Sequence, residues 1–353
     1  LNAAPVDILG PPPTRLPIVE SDFTRRQHPA CARVRETTKQ WLLDTGLMED
    51  AVAHTHTDAL LYTELIAGYY VGAPEPALQA ISDFSSWFFV WDDFHNNAAS
   101  HRDTASWTDL DRQLRQVTRA PHEHGHHPRP FASALADALL RLNACLGPAW
   151  SARFAGHFLP ILDAYTREFR ERIDGIVPTP ADYLEHRRHT FGHWVWLDLL
   201  EVAADHELPA HIRDSELYRR AGLASQDFSA LYNDLYSLPK ELAAGETHNY
   251  ATTLIRHDGL TEAQAIAQLR ARILECIDVF LGAEPELDEL AGGLQPPVSD
   301  ALRSCVFNMR NWISSVYWFH HESGRYRMAD WLDPALPPYV DTYVFWTPGG
   351  EHR

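Results

Sequence analysis

Two stretches of the chain concentrate side chains able to do chemistry. In "YNDLYSLPKE", Asn233, Ser237 and Glu241 recur every four residues, which on an α-helix sets them in one stripe about 6 Å apart per step. An amide oxygen, a hydroxyl and a carboxylate are the hard oxygen donors that Mg²⁺ accepts, alongside waters and phosphate oxygens. Lys240 adjoins Glu241 and can reach the same phosphate as a point charge. Any one of these residues would fit an ordinary polar helix face; their joint spacing favours a metal. Pro239 falls inside the same helix and is expected to bend it, because it removes a backbone hydrogen bond. In "SSWFFVWDDFHNN", Asp92 and Asp93 follow an aromatic run, with Phe88 and Phe89 one turn earlier and Trp87 and Trp91 nearby. Acids that end an apolar helix segment suit a second cation site, against the competing reading of a solvated helix end. Where a third acid could help, the chain carries Asn96 and Asn97.

Two further windows supply cations and aromatic surface. "YLEHRRHTFGHWVWLDLLE" places Arg187 and Arg188 in an otherwise apolar helix that is expected to continue through Gly192 to Trp194 and Trp196. An arginine in such a setting seeks a carboxylate or a phosphate. "RNWISSVYWFHHESGRY" sets Trp312, Phe319 and His320 ahead of Arg325 and Tyr326; an aromatic stripe at helical spacing is more often plain core than cavity. Together these parts make one chemical proposition. Acidic faces hold Mg²⁺, the metal with Arg and Lys holds a diphosphate, and an aromatic cavity lies beyond. Heterolysis of an allylic diphosphate needs that arrangement: cations stabilise the leaving group, aromatic faces stabilise carbocations, and a closed site excludes water.

The positioning elements are helical. Windows near 31–45, 58–72, 75–94, 130–147, 151–175, 180–203, 214–242, 261–282 and 297–322 show apolar residues at three- and four-residue spacing. Alternating strand patterns and internal repeats are absent. The first 30 residues are rich in proline and read as an extended arm, residues 31–332 as one all-α domain of roughly ten or more helices, and 333–353 as a tail. "RAPHEHGHHPRP" reads as a solvated interhelical loop rather than a metal site.

Composition narrows the partners. With 353 residues, 45% hydrophobic and 22% charged, the chain can bury a full core. Lys and Arg number 30 against 48 Asp and Glu, a formal charge of −18, which argues against nucleic acid and anionic membrane as partners. The four cysteines are scattered without a CxxC, so a disulfide framework or zinc site is not expected and a cytoplasmic location is. No secretory leader pattern is present, nor an apolar run near the ~20 residues that span a bilayer.

On these motifs, and on "LPIVESDF" and "ELIAGYYVGAPE", the sequence resembles the bacterial class I terpene cyclases, in particular sesquiterpene cyclases of actinomycete type. The resemblance implies a class I terpenoid synthase bundle with a central aromatic cavity and a cluster of three Mg²⁺ ions. Asp92, first of the Asp92–Asp93 pair, would ligate two ions, and Asn233, Ser237 and Glu241 the third. Arg187, Lys240, Arg325 and Tyr326 would bind the diphosphate, with Arg187 the sensor and Arg188 its alternative. Phe88, Phe89, Phe191, Trp196, Trp312, Phe319 and His320 would line the cavity. The implied substrate is farnesyl diphosphate and the products are a polycyclic sesquiterpene and pyrophosphate. Homodimers are common in the family, though no feature of this chain establishes one. The family pattern is DDxxD or DDxxxD/E, whereas this chain reads Asp92-Asp93-Phe94-His95-Asn96-Asn97. Asn96 can hydrogen-bond and offer a carbonyl oxygen but brings no charge, which bears on metal affinity, closure and product fidelity. The alternatives are a cyclase with another product or a mixture, a chain-elongating prenyl transferase, and a protein that binds prenyl diphosphate without turnover. The transferase generally pairs two aspartate-rich motifs, and the second site here is the Asn/Ser/Glu set.

Overall fold

Helix is what nearly every window encodes, and fourteen α-helices form among the residues that the computed structural model describes: 15–48, 58, 60–125, 127–244 and 246–326. In chain order they are α1 (Pro17–Asp22), α2 (Cys31–Asp44), α3 (Tyr62–Tyr69), α4 (Glu75–Ser100), α5 (Thr104–Arg119), α6 (Pro130–Cys145) and α7 (Pro148–Asp174). There follow α8 (Pro180–Thr190), α9 (His193–Ala203), α10 (Ala210–Arg213), α11 (Glu216–Ala244), α12 (Tyr250–His257), α13 (Glu262–Gly292) and α14 (Val298–Glu322). A 3₁₀ turn over Gly324–Tyr326 closes the described chain. No strand is present among the described residues. The expected tail from 333, and the arm before Arg15, lie outside them.

Local chemistry marks the helix ends. Proline occupies the first turn of α4, α6, α7 and α8, where its missing N–H costs nothing. The side chains of Asp103, Thr179, Asn249 and Thr261 accept backbone N–H groups at the starts of α5, α8, α12 and α13, satisfying donors that the helix leaves open. The helix α4 packs against α2, α3, α6 and α7, while α11 lies along α13 and α14; the candidate site draws side chains from both sets and from α8 and α9.

Aromatic stacking decides which way α4 faces. Trp87 stacks on Trp91 at 5.5 Å, Trp91 on Trp107 at 6.2 Å and Trp107 on Phe169 at 5.5 Å. This column, with the Trp87 indole donating to the Phe131 carbonyl at 2.9 Å, holds one face in the core and turns Phe88, Phe89 and Asp92 to another. The acids do not end the helix as the sequence suggested; α4 runs on through Asn96 and Asn97 to Ser100.

Three expectations need correction. The window 180–203 is two helices, because Gly192 adopts φ +82° between α8 and α9. A Cβ there would lie 3.2 Å from Trp196 Nε1, whose N–H caps the Phe191 carbonyl at 2.7 Å. Gly192→Ala is therefore expected to destabilise the fold by about 1–2 kcal/mol from backbone conformation alone, measurable by chemical denaturation. The N-terminal arm is not extended throughout: Pro17–Asp22 is helical and buries Val19. Glu20 accepts from Tyr317, and Asp22 offers its carbonyl to Arg310 at 2.6 Å, which binds α1 to α14. Finally, the helix expected near 261–282 runs on as α13 to Gly292; Pro239 lies inside α11, as expected.

Candidate active site

Side chains from α3, α4, α7, α8, α9, α11 and α14 and from the 3₁₀ turn line a cavity of about 100 Å³, concave and mostly apolar as small-molecule sites are. Its walls include Phe88, Phe89, Phe191, Trp196, Phe319 and His320, and its rim carries Asp92, Arg187, Asn233, Arg325 and Tyr326. Aromatic surface and charge are thus segregated, with the titratable and donor groups gathered on one side.

The two acids divide their work. Asp92 lines the cavity with its side chain 30% exposed, whereas Asp93 is 2% exposed and paired to Arg325 at 3.1 Å. Asp92 Oδ1 accepts from the Tyr165 hydroxyl at 2.8 Å, and Tyr165 is held by its stack on Trp91 at 4.2 Å. Asp93 therefore neutralises a buried guanidinium rather than facing the cavity. The same Arg325 donates to the hydroxyl of Tyr62, whose ring stacks on Phe89 at 4.1 Å. One arginine thereby links the acidic pair to the cavity wall.

On α11, Asn233 is saturated by defined partners. Its Oδ1 accepts from Arg187 at 2.9 Å, and its Nδ2 donates to Tyr326 Oη at 2.8 Å and faces His320 Nε2 at 3.4 Å. His320 Nδ1 lies 2.7 Å from the Val316 carbonyl, so it carries the proton and Nε2 presents a lone pair. Burial holds His320 down to about 3, which keeps the ring neutral. The Ser237 hydroxyl is buried without a hydrogen-bond partner. Glu241 Oε2 accepts from Asn249 at 2.8 Å, and burial, with the nearby Glu246 and Asp234 charges, pushes its carboxyl up to about 7.

The adjacent arginines separate cleanly. Arg187 lines the cavity, pairs with Asp234 at 2.9 Å and leaves its buried Nε without a partner. Arg188 turns outward, 42% exposed, and grips Asp227 with two bonds of 2.9 and 2.6 Å. Trp312 requires a correction. It is fully buried behind the cavity, edge-on to Tyr69 and Tyr70 at 6.0 and 6.2 Å, so Tyr69 forms the wall in its place. The side chain of Lys240 lies outside the described residues. Sequence reasoning missed Leu65, Ile66, Tyr69, Tyr165, Thr190, Ser229 and Val316, all on the wall. They sit at ordinary helical core positions, and no motif singled them out.

The donor set fits a divalent cation. Among the described residues no three His, Cys, Asp or Glu side chains converge, so an ion here would lean on the mixed oxygens of Asn233, Ser237 and Glu241, on Asp92, and on substrate oxygens. The unpartnered Ser237 hydroxyl and Arg187 Nε are the orphaned buried groups that such a ligand set would satisfy.

Comparison with known proteins identifies the family. Residues 83–278 match the family model described as terpene synthase family 2, C-terminal metal binding. Across 346 residues the chain is 48% identical to epi-isozizaene synthase of Streptomyces coelicolor, covering 96% of each. The chain belongs to the bacterial class I terpene cyclases. This cyclase is also 29% identical to pentalenene synthase of Streptomyces exfoliatus over 335 residues, or 90% of this chain and 94% of that one. Its fold is shared with linalool/nerolidol synthase from Streptomyces clavuligerus in complex with 2-fluorogeranyl diphosphate, at TM-score 0.74 and 22% identity, covering 84% of this cyclase and all of that chain. The cyclase is thus an all-α class I terpenoid synthase of the sesquiterpene synthase family, with divalent-metal dependence as a family property. No helix among its described residues is long and apolar enough to cross a membrane.

Proposed function

We propose that the protein is a Mg²⁺-dependent sesquiterpene cyclase that converts farnesyl diphosphate into a polycyclic sesquiterpene and pyrophosphate. The observation that carries this reading is the segregated cavity, with aromatic walls ending at a rim that gathers Asp92, Arg187, Asn233, Arg325 and Tyr326. In this reading Asp92 holds two Mg²⁺ ions and Asn233, Ser237 and Glu241 a third. When bound, the ions supply electrostatic stabilisation of the departing diphosphate. Arg187, Lys240, Arg325 and Tyr326 hold its oxygens as the C1–O bond breaks and the electron pair leaves with the diphosphate. Asp93 keeps Arg325 aimed at the rim. Phe88, Phe89, Phe191, Trp196 and Phe319 then face the allylic cation, each contact contributing up to about 2 kcal/mol when desolvated, and exclude water. Cyclisation ends when the released pyrophosphate takes a proton from carbon and the C–H electron pair closes the double bond. Similarity to epi-isozizaene synthase over nearly the whole chain supports epi-isozizaene as the product.

The test is incubation of the purified protein with farnesyl diphosphate and Mg²⁺, followed by gas chromatography–mass spectrometry. One dominant cyclic sesquiterpene is expected, and EDTA is expected to abolish it. Farnesol at the level without enzyme would overturn the reading. Pyrophosphate release with only linear products would reject cyclisation.

A further inference from the structure

Asn96 occupies the place where the family pattern has an acid, and its neighbours show why an amide serves there. Arg172, on α7 with its side chain only 8% exposed, donates Nη1 to Asn96 Oδ1 at 2.5 Å. The same guanidinium pairs with Glu246 at 3.0 Å and lies 3.6 Å from Glu168. Asn96 Nδ2 in turn donates to Asp92 Oδ2 at 3.4 Å. This orientation is chemically forced, because the flipped amide would set its NH₂ against a guanidinium and its oxygen against a carboxylate. Both polar atoms of Asn96 are therefore engaged, the oxygen by Arg172 and the nitrogen by Asp92.

The chain of contacts continues past Arg172. Glu246 donates its backbone N–H to the Glu241 carbonyl at 2.8 Å, and Asn249, three residues on, donates to Glu241 Oε2 at 2.8 Å and to the Asp234 carbonyl at 2.7 Å. His248 lies 3.0 Å from Glu171, next to Arg172. The segment 246–249 is thus a strap joining the C-terminal end of α11 to the end of α7.

We propose that Asn96 is a positioning residue rather than a metal ligand: it relays Arg172 to Asp92, and Arg172 ties α4 to the strap that holds Glu241. The two cation-binding faces are then set at their spacing by the protein itself. The inference rests on the metal-site reading above. An amide suits the relay because it accepts from Arg172 and donates to Asp92 at once. A carboxylate can only accept, and would face Asp92 as a like charge.

The test is a double-mutant cycle read by thermal unfolding of the full chain, titrating Mg²⁺ with inorganic pyrophosphate present. N96A and R172M are each expected to raise the half-saturating Mg²⁺ concentration about tenfold, as loss of a ligand-orienting partner does. The double variant should show no more than the larger single effect, since both act through one chain of contacts. Multiplying effects, a shift with N96A alone, or no shift in either would overturn the proposal. If R172M does not fold, R172K, which keeps the buried cation but loses the forked donor, takes its place in the cycle. A wild-type protein whose melting does not respond to Mg²⁺ with pyrophosphate would overturn the metal-site reading itself, and the relay with it.

Discussion

Arg187→Met is expected to lower turnover of farnesyl diphosphate by about 10²- to 10³-fold, the loss seen when one preorganised donor to developing charge is removed. Arg188→Met, one residue away, should stay within about two- to threefold, as substitutions on an exposed face do. The contrast follows from geometry alone. Arg187 is buried at the rim, with an unpartnered Nε and bonds to Asn233 and Asp234, whereas Arg188 spends its fork on Asp227 in partial contact with solvent. Steady-state release of pyrophosphate checks both variants. Because Asp234 would be left buried without its partner in R187M, circular dichroism should accompany the rates. Arg187→Lys retains the charge and separates loss of fold from loss of the donor fork. Equal losses in R187M and R188M would remove Arg187 from the proposed diphosphate-binding set.

Arg153→Met is expected to be the most destabilising single change away from the cavity. Arg153 Nε bonds Asp198 at 2.9 Å, and the same guanidinium contacts Glu201 and approaches Glu207 at 3.9 Å; Asp198 and Glu201 are both buried. Removing the cation leaves Asp198 with His157 at 2.6 Å, and Glu201 with the Leu208 N–H at 2.8 Å and a distant Arg213; breaking a buried ion pair in this way costs about 3–5 kcal/mol. The pH dependence has a definite sign. Burial pushes Glu201 up to about 7, against the pull of Arg153, so the folded state binds its proton more tightly than the unfolded chain does. This group's contribution is fully present below about pH 4.5 and is lost as pH rises through about 7. Without Arg153 the folded Glu201 carboxyl is raised further, so the deficit in R153M should be level up to about pH 7 and grow as pH rises beyond it. Urea titrations at several pH values measure it, and a deficit independent of pH would show that Glu201 does not titrate there.

Much of the candidate site could be read from residue spacing, because the metal and diphosphate chemistry proposed for it uses few side-chain types at fixed helical intervals. Asn233, Ser237 and Glu241 share a stripe by arithmetic, and Arg325 with Tyr326 follow an aromatic helix. What could not be read depends on partners distant in the chain. Asp92 and Asp93 look identical in sequence, and distant partners tell them apart: Tyr165 bonds Asp92, while Arg325, 232 residues from Asp93, lies closer to Asp93 than to Asp92. The choice between Arg187 and Arg188 turns on Asp234 and Asp227, which stand about two turns apart along α11. Trp312 is buried against Tyr69 and Tyr70 rather than on the wall, because a stripe reports which residues are apolar, not which layer they occupy. Gly192 is compatible with a continuous helix in sequence and breaks it in space, since the indole of Trp196 takes the Phe191 carbonyl.

The last long helix, α14, is read from two directions. Val316, Phe319 and His320 face the cavity, while Arg310 and Tyr317 hold the N-terminal helix, and Arg25 reaches the end of α14 at Glu322 with bonds of 2.5 and 2.6 Å. Heritable variation meets these faces unequally. A change at Val316 or Phe319 alters the contour against which a carbocation folds and leaves the outer attachment untouched. A change at Tyr317 or Arg310 loosens the segment as a whole and shifts the cavity wall only as a by-product. Divergence of product among descendants of this sequence is therefore channelled into the inward positions of α14, where it can proceed one residue at a time without loosening the attachment of the N-terminal helix.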